Sequence, residues 1–263
     1  MKTSALFFDI DGTLLDNRTE SIPESTLQAL EQARAHGHYL FINTGRTYQS
    51  LPEKIKQLNF DGYMCSCGAQ IVFRDEFLFE AHLSLERGKQ LIKKMYECNI
   101  LAAIEAVDTI YFPIEETNIA FLEYEKKYYV EHGFGVLADL KNTDIWFDKM
   151  FLYTDENSDL KRFVAFASED MVAIDRGRGN YEVTQKDYSK GTACDFMMKR
   201  LGLGLDQIYV FGDSLNDLAM FEFAKHTVAM GEHAKGLEPY TEFITRKIED
   251  DGIEYAMKHY GLI

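Results

Sequence analysis

No stretch of this chain comes near the ~20 consecutive apolar residues that a membrane-spanning helix needs. The opening Met1-Lys2-Thr3 has the charge of a secretory leader, but the apolar run after it stops at Asp9, too early for a leader's hydrophobic region. Cysteine is sparse: Cys65, Cys67, Cys98 and Cys194 are the four. Cys65-Ser66-Cys67 is a possible half of a metal site, yet no His/Cys pair at zinc-finger spacing follows it, so these read as small buried thiols. A reducing cytoplasm is the expected compartment. Positive charge is also in deficit. Lys and Arg number 28 against 43 Asp and Glu, for a net charge of −15. Nucleic-acid binding, which calls for a basic stripe, is not expected. An acidic chain repels anions at long range, so an anionic substrate would need local cations at its site. Gly202-Leu203-Gly204 lacks the third glycine of a nucleotide-binding turn. There is no internal repeat and no low-complexity tract.

What the chain does have is length and apolar content enough for one large or two modest domains: 263 residues, 46% hydrophobic. At this size about three quarters of the unfolded surface can be buried, without help from disulfides or metal. The first third alternates strand and helix patterns. Strands are expected at Ser4–Phe8, Tyr39–Ile42 and Tyr63–Cys65, and helices at Pro23–His36 and Tyr48–Leu58. Ile71–Phe73 and Phe77–Phe79, joined through Arg74-Asp75, read as a hairpin. Beyond Ala81 the rhythm changes to helices at Ser84–Cys98, Asn118–Glu131 and Asp159–Ala167. Among them stand strands at Leu101–Glu105, Ile110–Phe112, Ile145–Tyr153, Val172–Asp175 and Tyr181–Thr184, an α+β order αββαβαββ. Gly177-Arg178-Gly179 reads as a turn between the last two. After Tyr188 the βαβ pattern returns: helix Lys190–Leu201, strand Gln207–Phe211, helix Asp217–Phe223, strands Thr227–Met230 and Phe243–Thr245, and helix Asp251–His259. The expected fold class is α/β, a mostly parallel Rossmann-like core of residues 1–81 and 187–263 with an inserted α+β domain at 82–186.

Polar residues stand where these strands end. Ala5–Phe8 runs into Asp9-Ile10-Asp11-Gly12-Thr13. Spaced i, i+2, the two carboxylates point to one side at the carboxyl edge of a sheet, where α/β proteins bind ligands. Like charges that close call for a cation or a shared proton. An Asp-Gly turn would account for one Asp, but not for both. Tyr39–Ile42 runs into Asn43-Thr44-Gly45-Arg46, and Ile208–Phe211 into Gly212-Asp213-Ser214-Leu215-Asn216-Asp217. Lys190-Gly191 opens a helix, where a cation is mildly unfavourable. Taken singly, Thr44, Asp213 and Asp217 fit helix caps as well as they fit a site.

These four segments, in this order, resemble the motifs of the haloacid dehalogenase (HAD) superfamily. The chain is most similar to Cof-type sugar-phosphate phosphatases with a C2-type (IIB) α/β cap. That resemblance implies a Mg²⁺-dependent phosphomonoester hydrolase acting on a small phosphorylated metabolite through an aspartyl-phosphate. It makes Asp9 the nucleophile and Asp11 the general acid and base. It assigns the metal to the Asp9 carboxylate, the Asp11 backbone carbonyl and Asp213, with Asp217 supporting them. Thr44, Gly45 and Lys190 would meet the phosphate, Thr44 and Lys190 counting among the catalytic groups; Asn216 would contact the phosphate or the surroundings of Asp9, and Arg46 would either reach a ligand's oxygens or make a surface ion pair worth little. The cap would choose the substrate, with Arg178, Asn180, Glu182 and Trp146 as candidate contacts, although Trp146 reads rather as a packing residue and Glu182 alternates with its neighbours as any polar residue of a strand does. Neither nucleic acid nor membrane is an expected partner, and the chain would be a monomer or a weak homodimer. A phosphosugar mutase of the same superfamily is the rival reading, and a non-catalytic phospho-acceptor module a more distant one. One departure stands out: relatives often carry Asn-Gly-Ala after the third strand, where this chain has Cys67-Gly68-Ala69.

Overall fold

The computed structural model describes residues 2–263; Met1 lies outside the described residues. The chain divides into two compact units. Among the described residues the first comprises 2–45, 53–79 and 188–263, and the second 46–52 and 80–187. Residues 46–52 thus group with the inserted segment although they lie outside it in the sequence.

The first unit is built on an eight-stranded sheet. Its strands are β1 (Ala5–Phe8), β2 (Tyr39–Asn43), β3 (Gly62–Cys65), β4 (Gln70–Phe73) and β5 (Glu76–Glu80), then β12 (Ile208–Gly212), β13 (His226–Ala229) and β14 (Phe243–Ile244) from the end of the chain. The spatial order is β14-β13-β12-β1-β2-β3-β4-β5, parallel from β14 through β3. β1 is therefore central, and all four of its residues are fully buried, as a parallel strand covered on both faces requires. Its helices are α1 (Glu24–Ala35), α2 (Glu53–Lys56), α6 (Lys190–Leu201), α7 (Leu218–Phe223) and α8 (Gly252–His259). Ala5, Phe7, Phe41, Met64 and Val210 form one apolar layer with Ala193, Cys194, Met197 and Met220 of α6 and α7. Phe7 stacks on Phe41 within it, at 4.9 Å between centroids. The β4–β5 hairpin turns through Arg74 and Asp75, both with positive φ, the signature of a two-residue type I′ turn.

The second unit holds α3 (Leu85–Glu97), β6 (Leu101–Glu105), β7 (Ile110–Pro113), α4 (Ala120–Glu131), β8 (Gly135–Ala138), β9 (Lys149–Tyr153), α5 (Leu160–Ala167), β10 (Met171–Gly177) and β11 (Asn180–Gln185). Its six-stranded sheet runs β10-β11-β9-β6-β7-β8. Alternate residues on one face (Ala102, Ile104, Met150, Leu152, Val183) form a core with Leu91, Met95 and Phe163 of α3 and α5. On the other, Ala103, Ile110, Phe112 and Tyr153 pack with Leu122 of α4. The turn at 177–179 falls where expected, with Gly177, Arg178 and Gly179 all at positive φ.

Three sequence expectations need correction. The helix expected over Tyr48–Leu58 is reduced to Glu53–Lys56. Pro52 lacks a donor and disfavours helical geometry in Leu51, so a helix begins only after it. The strand expected over Ile145–Tyr153 forms only from Lys149. Ile145 and Phe147 are buried in the α3 side of the core from an irregular segment, which mimics strand alternation in the sequence. β8 was not expected at all; its Val136 and Leu137 are exposed on an edge strand, so Gly135–Ala138 carries no alternating pattern. The order is therefore αββαββαββ.

Candidate active site

Every expected catalytic segment of the first unit lies at the carboxyl end of a strand or the start of a helix. The Asp9 N–H donates to the Phe211 carbonyl (3.0 Å), so the residue after β1 is still held by β12. The chain then curls at once: the N–H groups of Leu14 and Leu15 both donate to the Ile10 carbonyl. Gly12 has φ +89°, and a Cβ there would stand 2.4 Å from Asp213 Oδ2. Glycine is thus required twice, for the turn and for the closeness of the Asp213 carboxylate. The Thr13 hydroxyl donates to Asp213 Oδ1 at 3.0 Å, a contact that sequence reading did not assign.

Lys190 is the first residue of α6, and its side chain is fully buried. Ser189 caps the helix by accepting from the Thr192 N–H, and the Thr192 hydroxyl closes the capping box on the Ser189 N–H. The Lys190 ammonium donates to Asp9 Oδ1 and Asp217 Oδ1, each at 2.6 Å, and to Asn216 Oδ1 at 3.3 Å. Burial pushes this ammonium down, but Asp217 and Asp9 outweigh it and hold it above the usual lysine range. Asp217, also fully buried, accepts on its other oxygen from the N–H groups of Asp213 and Ser214, both at 2.9 Å. Both of its oxygens are therefore occupied, one by the Lys190 ammonium and the other by the loop after β12.

Asp9, Asp213 and Asp217 each offer a carboxylate oxygen within 4.8 Å of the others. Burial pushes the Asp9 carboxyl up to about 7, with the Asp217 and Asp11 charges adding and Lys190 opposing. Burial, then the charges of Asp9 and Asp217, raises Asp213 to about 8. One ammonium does not neutralise this group of acids. An all-oxygen donor set with unbalanced negative charge suits a hard divalent cation. Asp9 and Asp213 have oxygens to give it, whereas Asp217 is already engaged on both sides.

Thr44 follows β2 and is buried. Its N–H donates to the Met64 carbonyl (2.8 Å), and its carbonyl accepts from the Cys67 N–H (3.1 Å). Its backbone is thereby locked to β3 and the loop after it. Arg46 falls in the second unit, where it donates to the Ser50 carbonyl at 3.4 Å; burial raises the carboxyls of Glu105 and Glu125, and the Arg46 charge offsets part of that rise. Of the other candidates in that unit, Glu182 is buried and accepts from Lys149 at 2.7 Å, and Lys149 also pairs with Glu105 at 3.2 Å. Asn180 donates to the Gly177 carbonyl within its own turn, and Arg178 sits at the tip of that turn with φ +56°. Trp146 is 54% exposed, which corrects its reading as a packing residue.

The departure at Cys67 now has a backbone setting. Ser66 and Cys67 both adopt left-handed conformations (φ +49° and +52°) before Gly68 at +91°. A Cβ on Gly68 would stand 2.3 Å from the Ser189 carbonyl oxygen, so the loop lies against the cap of α6. Among non-glycine residues Asn tolerates left-handed geometry best. Cys67→Asn should therefore raise stability by up to about 1 kcal/mol in a denaturant titration. A lower midpoint would mean that the contacts of the thiol outweigh the backbone strain.

This is the arrangement of a phosphoryl-transfer enzyme: a buried carboxylate braced by a buried lysine, with acids and hydroxyls at the carboxyl edge of a parallel sheet. The sequence profile of the haloacid dehalogenase-like hydrolases matches residues 6–257, and the chain belongs to that family. It is 29% identical to the putative phosphatase YkrA of Bacillus subtilis over the full length of both chains. It is 24% identical to the 5-amino-6-(5-phospho-D-ribitylamino)uracil phosphatase YitU of the same organism, with 98% of each chain covered. Its structure is similar to that of the HAD subclass IIB sugar phosphatase BT4131, at a TM-score of 0.84 and 27% identity, covering 99% of this chain and 100% of the other. The protein is a phosphatase of the HAD fold. Among the described residues no helix is long and apolar enough to cross a membrane.

Proposed function

We propose that the protein is a Mg²⁺-dependent phosphomonoesterase acting on sugar phosphates or similar small phosphorylated metabolites, with Asp9 as the phosphoryl acceptor. The observation that carries this reading is the buried contact of Lys190 with Asp9 at 2.6 Å, beside Asp213 and Asp217. The ammonium orients the carboxylate and opposes the proton that burial favours there, and a bound divalent cation would complete the ionised form a nucleophile needs. Asp9 attacks phosphorus and the bond to the leaving oxygen breaks. Asp11 gives that oxygen its proton and later takes one from the water that hydrolyses the aspartyl-phosphate. The Thr44 hydroxyl and Gly45 N–H hold phosphoryl oxygens, and Lys190 offsets their charge. Asn216 steadies Lys190, and Arg46 reaches further oxygens of the ligand. The Asp9 carboxylate, the Asp11 carbonyl and Asp213 would hold Mg²⁺, which neutralises charge on the transferring group. Asp217 keeps Lys190 and the Asp213 backbone in place.

In this reading residues 1–81 and 187–263 carry the chemistry and residues 82–186 select the leaving group. The names of two relatives support a polyol phosphate: one is a sugar phosphatase, and the other's substrate carries its phosphate on a ribityl chain. Lys149, Glu105 and Glu182 form a compact set of donors and acceptors of the kind that recognises hydroxyls. A cytoplasmic monomer or weak homodimer is the form proposed.

Phosphate release from a panel of phosphomonoesters, with Mg²⁺ and with EDTA, tests the reading. Release that needs metal and is strongest on a few sugar or polyol phosphates is the expected result. Because Asp9 and Asp213 hold protons up to about pH 7 and about pH 8, Mg²⁺ must displace them. Apparent metal affinity should therefore tighten as pH rises through that range, with protons released on binding. Isomerised sugar phosphate without free phosphate would replace the hydrolase reading with that of a mutase. No turnover by folded, metal-loaded protein would end both.

A further inference from the structure

Asn43 is the last residue of β2, directly before Thr44, and it is fully buried. It lies two residues after Phe41, so its side chain points into the apolar layer between the sheet and α6 and α7. Every other residue of β2 is aromatic or aliphatic. The Asn43 amide donates to the Lys190 carbonyl at 2.9 Å. It also approaches Cys194 Sγ at 3.3 Å and Met220 Sδ at 3.6 Å, so one NH₂ group touches the first turn of α6, its second turn and α7. The carbonyl end of the same amide, Oδ1, is buried with no partner. Leaving a buried acceptor unsatisfied costs on the order of 1–3 kcal/mol. Reversing the amide would set that oxygen against the Lys190 carbonyl, two acceptors facing each other, so the orientation is fixed by the donor. An apolar residue of similar size would avoid the cost. The polar side chain is therefore not there for the stability of the core.

The geometry points to Asn43 as a positioning residue for Lys190. The backbone of Thr44 is already bound to β3 and to the Cys67 loop. Its neighbour's side chain adds a crosslink to the residue whose ammonium meets Asp9. At the next residue, Gly191, a Cβ would stand 2.3 Å from the Ala219 carbonyl oxygen, so only glycine lets α6 approach α7 this closely. The start of α6 is thus pressed against α7 at Gly191 and tethered to β2 at Lys190. Asn43 fixes where the helix begins, and with it the distance between Lys190 and Asp9. Capping at Ser189 holds the helix together but does not connect it to β2.

This inference rests on the role of Lys190 proposed above, and its test separates the two. Asn43→Leu keeps the size and removes the orphaned acceptor, so its melting temperature should equal or exceed that of the parent. Its kcat should fall about tenfold or more while KM stays within about twofold, the pattern of an interaction lost from the transition state alone. Amide hydrogen exchange at residues 191–194 should quicken, a readout that needs no substrate. Asn43→Ala serves in the same measurements if the leucine variant is poorly folded. Parental kcat and parental exchange in α6 would overturn the assignment. A fall in kcat that merely tracked a fall in melting temperature would overturn it too, since that is what a packing role predicts. Faster exchange in a protein that hydrolyses no phosphomonoester would leave the tether standing and remove the phosphatase reading.

Discussion

Asp9→Asn is expected to give a folded protein with turnover reduced on the order of 10⁴-fold or more, the scale of losing a nucleophile. The amide has the shape of the carboxylate but cannot accept a phosphoryl group. Its expected stability is the less obvious half. Burial raises Asp9 from the usual 3.8 to about 7. The native state therefore binds a proton more tightly than the unfolded chain, and stability from this group is lost as pH rises from about 4 through about 7. Above that range, without metal, the ionised carboxylate is a burden on the native state. Asn carries no such charge, and Lys190 keeps Asp217 as its partner at 2.6 Å. In EDTA the variant should melt at or above the parent, with a margin that widens from about pH 4 to about pH 7 and levels off above it. Added Mg²⁺ should close that margin, because the parent then has its full set of ligands. Turnover and melting in the same buffers check both halves. Appreciable residual turnover would remove Asp9 from the nucleophile's place. A variant destabilised in EDTA at high pH would show that Lys190 needs Asp9 more than the burial of Asp9 costs.

How much of this was legible in the sequence follows from what each residue answers to. β1, β2 and β12 could be read because a parallel strand buried on both faces is a continuous apolar run that ends where the polar residues begin. Asp9, Asp11, Thr44, Asp213 and Asp217 stand at those ends, so their neighbourhood at one sheet edge followed from the pattern. Lys190 gave a weaker signal, a cation at a helix start where the dipole opposes it. The structure supplies the compensation in two buried carboxylates. Asn43 was visible only as a polar letter after an apolar run. Its importance lies in a contact 147 positions away, which no local period encodes. The same holds for Thr13 and Asp213, 200 positions apart. Arg46 could be seen as a ligand candidate, but not that its segment packs with the inserted unit, since Pro52 had to break the expected helix first. Cys67 looked like a lost amide in the sequence; its left-handed φ makes the position one of backbone conformation as well.

Lys190→Met should be the most damaging single change, since activity and stability depend on the same ammonium. Methionine fills much of the lysine's volume, so the expected loss is electrostatic. Asp9 and Asp217 are then left without the cation that each meets at 2.6 Å, and Asp213 stands close by. Removing one partner of a buried pair costs about 3–5 kcal/mol, far more than the net worth of the pair. Asp9 and Asp213 already bind protons more tightly in the native state than unfolded, and loss of the ammonium strengthens that preference. The variant should therefore be least stable at high pH in EDTA and recover as pH falls and the carboxylates take up protons. Mg²⁺ should restore part of the stability but little of the turnover. The double variant Lys190→Met/Asp217→Asn separates the causes. It removes one of the stranded charges, while the amide oxygen introduced by Asp217→Asn can still accept from the Asp213 and Ser214 N–H groups. It should recover melting temperature without recovering activity. If the double variant melts no higher than Lys190→Met alone, the damage lies in packing around α6. If Lys190→Met retains turnover near the parental level, Asp9 is oriented by something other than the lysine, and the reading of this site as a lysine-braced nucleophile fails.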